Sequence, residues 1–246
     1  MMLRRATVAL AGLVLAALAA AQEGGLRITT LAQVDLATVV HAPLQFRLLQ
    51  VTVGAGEVAS YRVTDGMVYQ LAGAQTVDVG GHAVEVSAGE GAAVGSDDTV
   101  SFATLGDAPS EFLLFVLAPA AEADAPAVVA SGRVVELFRG AAPLPGLVDG
   151  PYGFDLTRLD FEPNTPINDP HYRTGGALYY VLAGAGEFTA DGITARMPAG
   201  SVVYEPYGLV HQWANAHDAV TTVVLANISP EGAPAVEFDV PPDDGR

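Results

Sequence analysis

The chain has 246 residues, a formal net charge of −17 at pH 7, no cysteine and no lysine. A surface of this charge repels nucleic acids and anionic lipids, which argues against both as partners. Without cysteine there are no disulfides, thiolate metal sites or cysteine nucleophiles, and without lysine no Schiff base can form.

The N-terminal segment, residues 1–21, has the layout of a cleaved secretory signal peptide. Arg4 and Arg5 precede an apolar run that ends in an A-x-A pattern. The run is alanine-rich and shorter than the roughly 20 residues that span a bilayer, which favours cleavage over the alternative of an uncleaved membrane anchor. Together with the missing disulfides, the segment predicts export to a bacterial periplasm or exterior, with no membrane attachment after cleavage.

Short alternating or apolar runs, separated by Gly, Asp and Pro, fill the remainder of the chain. They predict an all-β protein. The predicted strands of the first half are 46–53, 68–71, 76–79, 83–86, 100–103 and 112–117. Those of the second half are 154–161, 178–182, 186–190, 193–197, 202–205, 209–213 and 220–227. Such strands bury one face of each sheet against another, which predicts two sandwich or jelly-roll barrels.

The two halves are related by an internal repeat at an offset of 111 residues. Met67–Gly73 aligns with Leu178–Gly184, and glycines further along stay in register. Between the repeats, a stretch rich in Ala, Pro, Glu and Asp predicts a flexible linker. The predicted organisation is a signal peptide 1–21, an N-terminal domain 22–119, a linker 120–132 and a C-terminal domain 133–246.

One segment of the second repeat fills every fixed position of the pattern G-x5-P-x-G-x2-H-x3-N, with the residues Gly200, Pro206, Gly208, His211 and Asn215. This segment resembles the second signature motif of the cupin superfamily. The resemblance implies two tandem cupin-type jelly-roll β-barrels (double-stranded β-helices), the arrangement called a bicupin. It also implies that His211 points into the C-terminal barrel and binds a metal, and that the protein self-associates as a homo-oligomer.

An upstream segment resembles only the outer parts of the first motif of the same family. His171 matches the first histidine and Gly184 the closing glycine, but Arg173 replaces the second histidine and Ala177 the glutamate. A guanidinium is permanently cationic and has no lone pair for a metal. The resemblance therefore implies a degenerate site, in which His171 and His211 are the metal ligands for a divalent Mn, Fe, Ni, Cu or Zn ion.

Three carboxylates near these motifs leave open a third ligand: Glu205, Glu187 and Asp169. The sequence does not decide which of them faces the interior. In the first repeat, Ser60 and Val100 occupy the positions that align with His171 and His211. No metal-binding residue type survives there, which predicts a structural role for the N-terminal domain.

Strand alternation predicts which side chains share the interior with the histidines. Trp213 shares a face with His211, and Tyr179 shares a face with the position that the resemblance places inward. These aromatic side chains and Arg173 would bind a small ligand that carries a carboxylate, enolate or phenolate group. The predicted ligand-binding residues are therefore Arg173, Tyr179 and Trp213.

Three functions of different classes follow from these observations. The first is an exported binding module that takes a small molecule in the C-terminal barrel. The second is a metal-dependent, dioxygenase-like oxidoreductase or a decarboxylase that uses His171, His211 and an unrecognised third ligand. The third is a metal-free isomerase or epimerase, in which His171, His211 and Tyr179 are the candidate catalytic residues. The missing ligands favour the binding module, and the sequence leaves open whether the chain is an enzyme.

Overall fold

The computed structural model describes residues 21–39, 43–62, 65–95, 99–122 and 131–238. Residues 1–20 of the predicted signal peptide and most of the predicted linker lie outside this part. In the part that is described, the chain is all-β apart from one short 3-10 helix at Ala120–Glu122, as the sequence predicts. None of its helical segments is long and apolar enough to cross a membrane.

Ten strands precede the 3-10 helix and ten follow it. The first ten are β1 (Ala21–Glu23), β2 (Leu26–Val39), β3 (Leu44–Val53), β4 (Val58–Arg62), β5 (Asp65–Ala72), β6 (Ala74–Val79), β7 (His82–Ser87), β8 (Gly91–Gly95), β9 (Thr99–Leu105) and β10 (Ser110–Pro119). The second ten are β11 (Arg133–Arg139), β12 (Gly150–Phe161), β13 (Tyr172–Arg173), β14 (Gly176–Ala183), β15 (Ala185–Ala190), β16 (Ile193–Pro198), β17 (Val202–Glu205), β18 (His211–Ala214), β19 (Thr221–Pro230) and β20 (Val236–Glu237).

These strands form two jelly-roll barrels. The N-terminal barrel has a five-stranded sheet in the order β11-β3-β10-β5-β8 and a four-stranded sheet in the order β4-β9-β6-β7. The C-terminal barrel has a six-stranded sheet in the order β1-β2-β12-β19-β14-β17. A three-stranded sheet, β16-β15-β18, and the short pair β13-β20 complete it.

Three of the described strands, β1, β2 and β11, belong to the sheet of the opposite barrel. β2 pairs antiparallel with β12 of the C-terminal barrel, and β11 pairs antiparallel with β3 of the N-terminal barrel. The sheets therefore do not follow the predicted domain limits at residues 119 and 133. The local pattern of a strand does not specify a partner that is distant along the chain, so the sequence division could not show this exchange.

The large sheets of the two barrels pack face to face. Their contact contains Phe46, Leu48 and Phe115 from the first barrel, and Phe154 and Leu156 from the second. All five side chains are at most 1% exposed. Because side chains alternate along β12, the intervening positions point the other way, into the C-terminal barrel. The interface thus fixes which β12 side chains line that interior.

The interior of the N-terminal barrel is mainly apolar, with the amides of Gln70 and Gln75 as buried polar groups. Tyr61 pairs with Val100 there, as His171 pairs with His211 in the C-terminal barrel. The structural counterpart of His171 is thus Tyr61 and not Ser60, because the repeat shifts by one residue in this strand. Tyr61 and Val100 belong to a buried hydrophobic cluster of this barrel. This packing supports a structural role for the N-terminal barrel.

Candidate functional site

A cavity of about 920 Å³ opens into the C-terminal barrel. It lies between the six-stranded sheet and the strands β13, β18 and β20. Four of the predicted site residues, His171, Arg173, Tyr179 and Trp213, line it. The fifth, His211, pairs with His171 and is not part of the lining. Its volume falls in the range of small-molecule sites.

A buried carboxylate, Glu205, organises the inner end of this cavity. Its side chain is fully buried, and its Oε2 accepts a hydrogen bond from Arg173 Nε at 3.0 Å. Its Oε1 accepts a hydrogen bond from Trp213 Nε1 at 2.9 Å. A terminal guanidinium nitrogen of the same arginine, Nη2, donates to the Tyr179 hydroxyl. The pocket residues therefore form one closed network around Glu205.

Glu205 compensates for the carboxylate that is missing from the first motif. Ala177 occupies the position of that glutamate, and Glu205 is its direct partner on the neighbouring strand β17. Side chains opposite each other in an antiparallel pair are about 4.5–5.5 Å apart at Cβ. The barrel therefore carries its carboxylate on the strand next to the one expected, where it balances the charge of Arg173.

His171 and His211 lie side by side, with ring centroids 4.4 Å apart. The Nδ1 atoms contact backbone carbonyls two residues earlier, at 2.8 Å for His171 and 2.9 Å for His211. Since a carbonyl only accepts, each Nδ1 carries the proton, and each Nε2 is left for another partner. His211 Nε2 lies 3.0 Å from Glu205 Oε2, without the alignment of a directional hydrogen bond.

Burial and charge set the protonation of these groups. Burial alone would raise the pKa of Glu205, but the charge of Arg173 and the contacts from His211 and Trp213 lower it to about 2. Burial lowers the pKa of His171, and the neighbouring positive charges add to this effect. Burial raises the pKa of Tyr179 well above its ordinary value. Glu205 is therefore ionised at neutral pH, and Tyr179 keeps its proton, which makes it a poor acid–base catalyst.

Aromatic rings form the wall beside this network. Trp213 stacks on Tyr179 at 5.5 Å and on Phe161 at 6.2 Å between ring centroids. Asn215, from the same motif, is fully buried, and its Nδ2 donates to three backbone carbonyls. Asn215 therefore holds the loop after β18, while Trp213 presents its ring to the cavity.

The donor set does not fit a divalent metal ion. His171 and His211 offer two nitrogen ligands, but both oxygens of the nearest carboxylate, Glu205, already accept hydrogen bonds. Arg173 holds a fixed positive charge at the same place, which repels a cation. Within the described residues, no three His, Cys, Asp or Glu side chains are grouped so that they could hold a metal.

Arg173 is also not the open anion-binding fork that the sequence suggests. Its Nε is paired with Glu205 and its Nη2 with Tyr179, and its side chain is 9% exposed. The charge that was expected to attract a carboxylate is therefore already balanced inside the protein. Glu205 is the functional residue that the sequence pattern left undecided, since its pairing with Ala177 depends on the sheet register.

A family model described as a cupin domain matches residues 157–227, which contain all of the network residues. Residues 157–227 of the C-terminal barrel therefore form a cupin domain, in agreement with the resemblance of the second motif. No curated protein matches this chain in sequence.

Solved structures share the fold at low sequence identity. AerE from Microcystis aeruginosa has a TM-score of 0.54 and 12% identity, over 83% of this chain and 92% of that chain. A structure of oxalate decarboxylase has a TM-score of 0.53 and 14% identity, over 95% of this chain and 80% of that chain. A variant of salicylate 1,2-dioxygenase from Pseudoaminobacter salicylatoxidans has a TM-score of 0.50 and 11% identity, over 76% of this chain and 75% of that chain. At this identity, the likeness shows the two-barrel fold alone.

Proposed function

We propose that the protein is a binding module that takes a small organic molecule in the cavity of its C-terminal barrel, without a resident metal. The observation that carries this proposal is the cavity of about 920 Å³, which lies beside polar side chains that hydrogen-bond one another. Apolar side chains cover the wall between the polar groups, among them Leu159, Phe161 and Leu225. A largely apolar pocket with a few placed polar groups is the usual form of a small-molecule site.

The metal-dependent alternative, an oxidoreductase or decarboxylase, has one supporting observation. Both histidines are oriented through Nδ1, as metal-binding histidines usually are. It is opposed by the ion pair between Arg173 and Glu205, which occupies the place of the remaining ligands.

The metal-free isomerase or epimerase has support from one group only. His171 lines the cavity and keeps an unprotonated Nε2 that could accept a proton. Tyr179, the proposed second group, is tied to Arg173 and keeps its own proton. Two-base chemistry would therefore need a second acid–base group, and we favour binding.

The setting of this binding function follows from the sequence. We infer export to a bacterial periplasm or exterior from the signal-like segment 1–21, and self-association from the cupin resemblance. The acidic chain disfavours nucleic acid as a partner. The ligand proposed here is a small molecule, and the paired state of Arg173 removes the reason to expect an anionic group on it.

Blocking the cavity is expected to abolish binding. Gly153 lines the cavity, and a Cβ built there meets nothing closer than a backbone oxygen at 4.0 Å. Gly153→Phe therefore places a ring in the cavity without a backbone clash. Binding of the neutral probe 2-phenylethanol can be followed by the emission of Trp213, the single tryptophan of the chain, which lines the same cavity. We expect the probe to change this emission in the wild type and not in Gly153→Phe.

The control for this test adds the same ring elsewhere. Ala83 is exposed on β7 of the N-terminal barrel, so Ala83→Phe leaves the cavity open. This variant is expected to bind the probe like the wild type. Equal binding by Gly153→Phe and the wild type, measured by calorimetry, would show that the probe binds outside the cavity and would contradict the proposal.

A further inference from the structure

A polar stripe crosses three neighbouring strands on the cavity wall. Asp155 of β12 pairs with Gln33 of β2 on one side and with Asn227 of β19 on the other. One step along the same face, Gly153 pairs with Asp35. All five residues line the cavity. No hydrogen bond joins this stripe to the Glu205 network among the described residues, so the stripe is a separate polar surface.

Asp155 is the centre of the stripe, and it has acceptor capacity left over. Its Oδ1 accepts from Asn227 Nδ2 at 3.0 Å, and its Oδ2 accepts from Thr157 Oγ1 at 2.8 Å. A carboxylate has about four acceptor sites, so each oxygen of Asp155 retains one. In the described part of the chain, no arginine forms an ion pair with Asp155. This half-buried carboxylate therefore has no positive group in direct contact, and the charge of Arg173 acts on it only from a distance.

Beside Asp155 lies a second acceptor, the side-chain oxygen of Asn227, which has no donor. Asn227 is 1% exposed, and its Oδ1 has no hydrogen-bond partner in the described structure. Its amide nitrogen is already bonded to Asp155, which fixes the orientation of the amide. A buried acceptor without a donor costs roughly 1–3 kcal/mol. Apart from the amide of the exposed Gln33, the stripe thus offers acceptors with room for further donors.

The charge of the cavity lining agrees with this. Four acidic residues line the cavity against one arginine: Asp35, Asp155, Asp169 and Glu231 against Arg173. The charge of Arg173 is balanced by Glu205, so the acids leave a net negative lining. In a partly enclosed cavity this potential attracts a cation and repels an anion.

We propose that the cavity takes a small organic ammonium compound, with its ammonium group on Asp155 and its apolar body against Leu159, Leu225 and Trp213. This inference rests on the proposed binding function and names the chemical class of the ligand. The ammonium group supplies the missing positive charge and three donors to the stripe. The three body-contacting side chains line the same cavity.

Three probes with one body and different head groups test the inference: 2-phenylethylamine, 2-phenylethanol and 3-phenylpropionate. Their affinities for the full protein at neutral pH are measured by calorimetry and by Trp213 emission. We expect the ammonium to bind about tenfold or more tightly than the carboxylate, with the alcohol between them. Equal or tighter binding of 3-phenylpropionate, or no binding of the amine, would overturn the inference without any variant.

Two isosteric variants locate the contact. Asp155→Asn is expected to weaken amine binding about tenfold and to leave alcohol binding nearly unchanged. Glu231→Gln removes the same charge from the exposed rim of the cavity, and its effect on the amine is expected to be much smaller. Equal effects of the two variants would overturn the contact with Asp155.

The cavity-blocking variant separates this inference from the binding function. If Gly153→Phe abolishes binding of 2-phenylethanol while the wild type does not prefer the amine, only the ammonium inference fails. If Gly153→Phe binds the amine as the wild type does, the cavity is not the site and both proposals fail.

Discussion

Replacing Glu205 by alanine is expected to lower the free energy of unfolding by about 3–5 kcal/mol, because it leaves the buried guanidinium of Arg173 without its counter-charge. Both side chains are buried, and Glu205 also accepts the hydrogen bond of the Trp213 indole. Denaturant unfolding of the wild type and the variant measures the loss.

Two comparisons make this result specific. Glu187→Ala removes a half-buried carboxylate of the same barrel and is expected to change stability by no more than about 0.5 kcal/mol. The double replacement Glu205→Leu and Arg173→Met removes both charges together and is expected to recover part of the loss. A Glu205→Ala variant as stable as Glu187→Ala would show that the network does not stabilise the fold.

The same network predicts a pH dependence of stability. The pKa of Glu205 is lowered from 4.5 to about 2, so the folded protein holds this carboxylate more strongly ionised than the unfolded chain. Its stabilising contribution is therefore fully present above about pH 4.5 and is lost as the pH falls towards 2. In Glu205→Gln this part of the dependence is expected to disappear. Unfolding curves at several acidic pH values check the difference, since the other carboxylates titrate in both proteins.

The sequence predicted the strands well because each carries its own pattern of alternation and turn residues. Among the described strands, seven were not predicted: β1, β2, β4, β8, β11, β13 and β20. The longest of them is β2, Leu26–Val39, which lies in the sheet of the other barrel. Pairing over such a distance is decided by the packing of whole sheets and not by the residues of one strand. The one-residue shift that makes Tyr61 the counterpart of His171 has the same origin, since an ungapped repeat does not record it.

Strand alternation predicted which side chains lie near one another in the C-terminal barrel, but not how their charges are paired. His171, Arg173, Tyr179 and Trp213 line one cavity, as strand alternation suggests. The sequence left Glu205 among three candidate carboxylates, and only the register of β14 and β17 shows that it lies inside. Once Glu205 is there, Arg173 becomes an internal partner, and the expected ligand changes from an anion to a cation.

Arg173→His is expected to turn this pocket into a metal site. The substitution removes the arginine from the cavity lining, adds an imidazole beside His171 and His211, and frees an oxygen of Glu205. Three imidazoles and one carboxylate are ligands that Mn, Fe, Ni, Cu and Zn accept. Elemental analysis without chelator is expected to find about one ion per chain in the variant. Excess Zn, at about 100 times the dissociation constant, is expected to add roughly 2.7 kcal/mol to its stability.

Two further variants show whether the gain comes from the new ligand or from the lost charge. Arg173→Gln removes the charge without adding an imidazole, and Arg173→His combined with His211→Ala removes one of the other ligands. Neither is expected to hold a stoichiometric ion. If Arg173→His gains no bound metal, the side chain at position 173 does not point to the same place as His171 and His211. If the wild-type protein already holds one ion and His211→Ala loses it, the metal-dependent alternative would be favoured. An ion could stay beside Arg173 only if the Glu205 carboxylate turned away from the guanidinium and bound the metal.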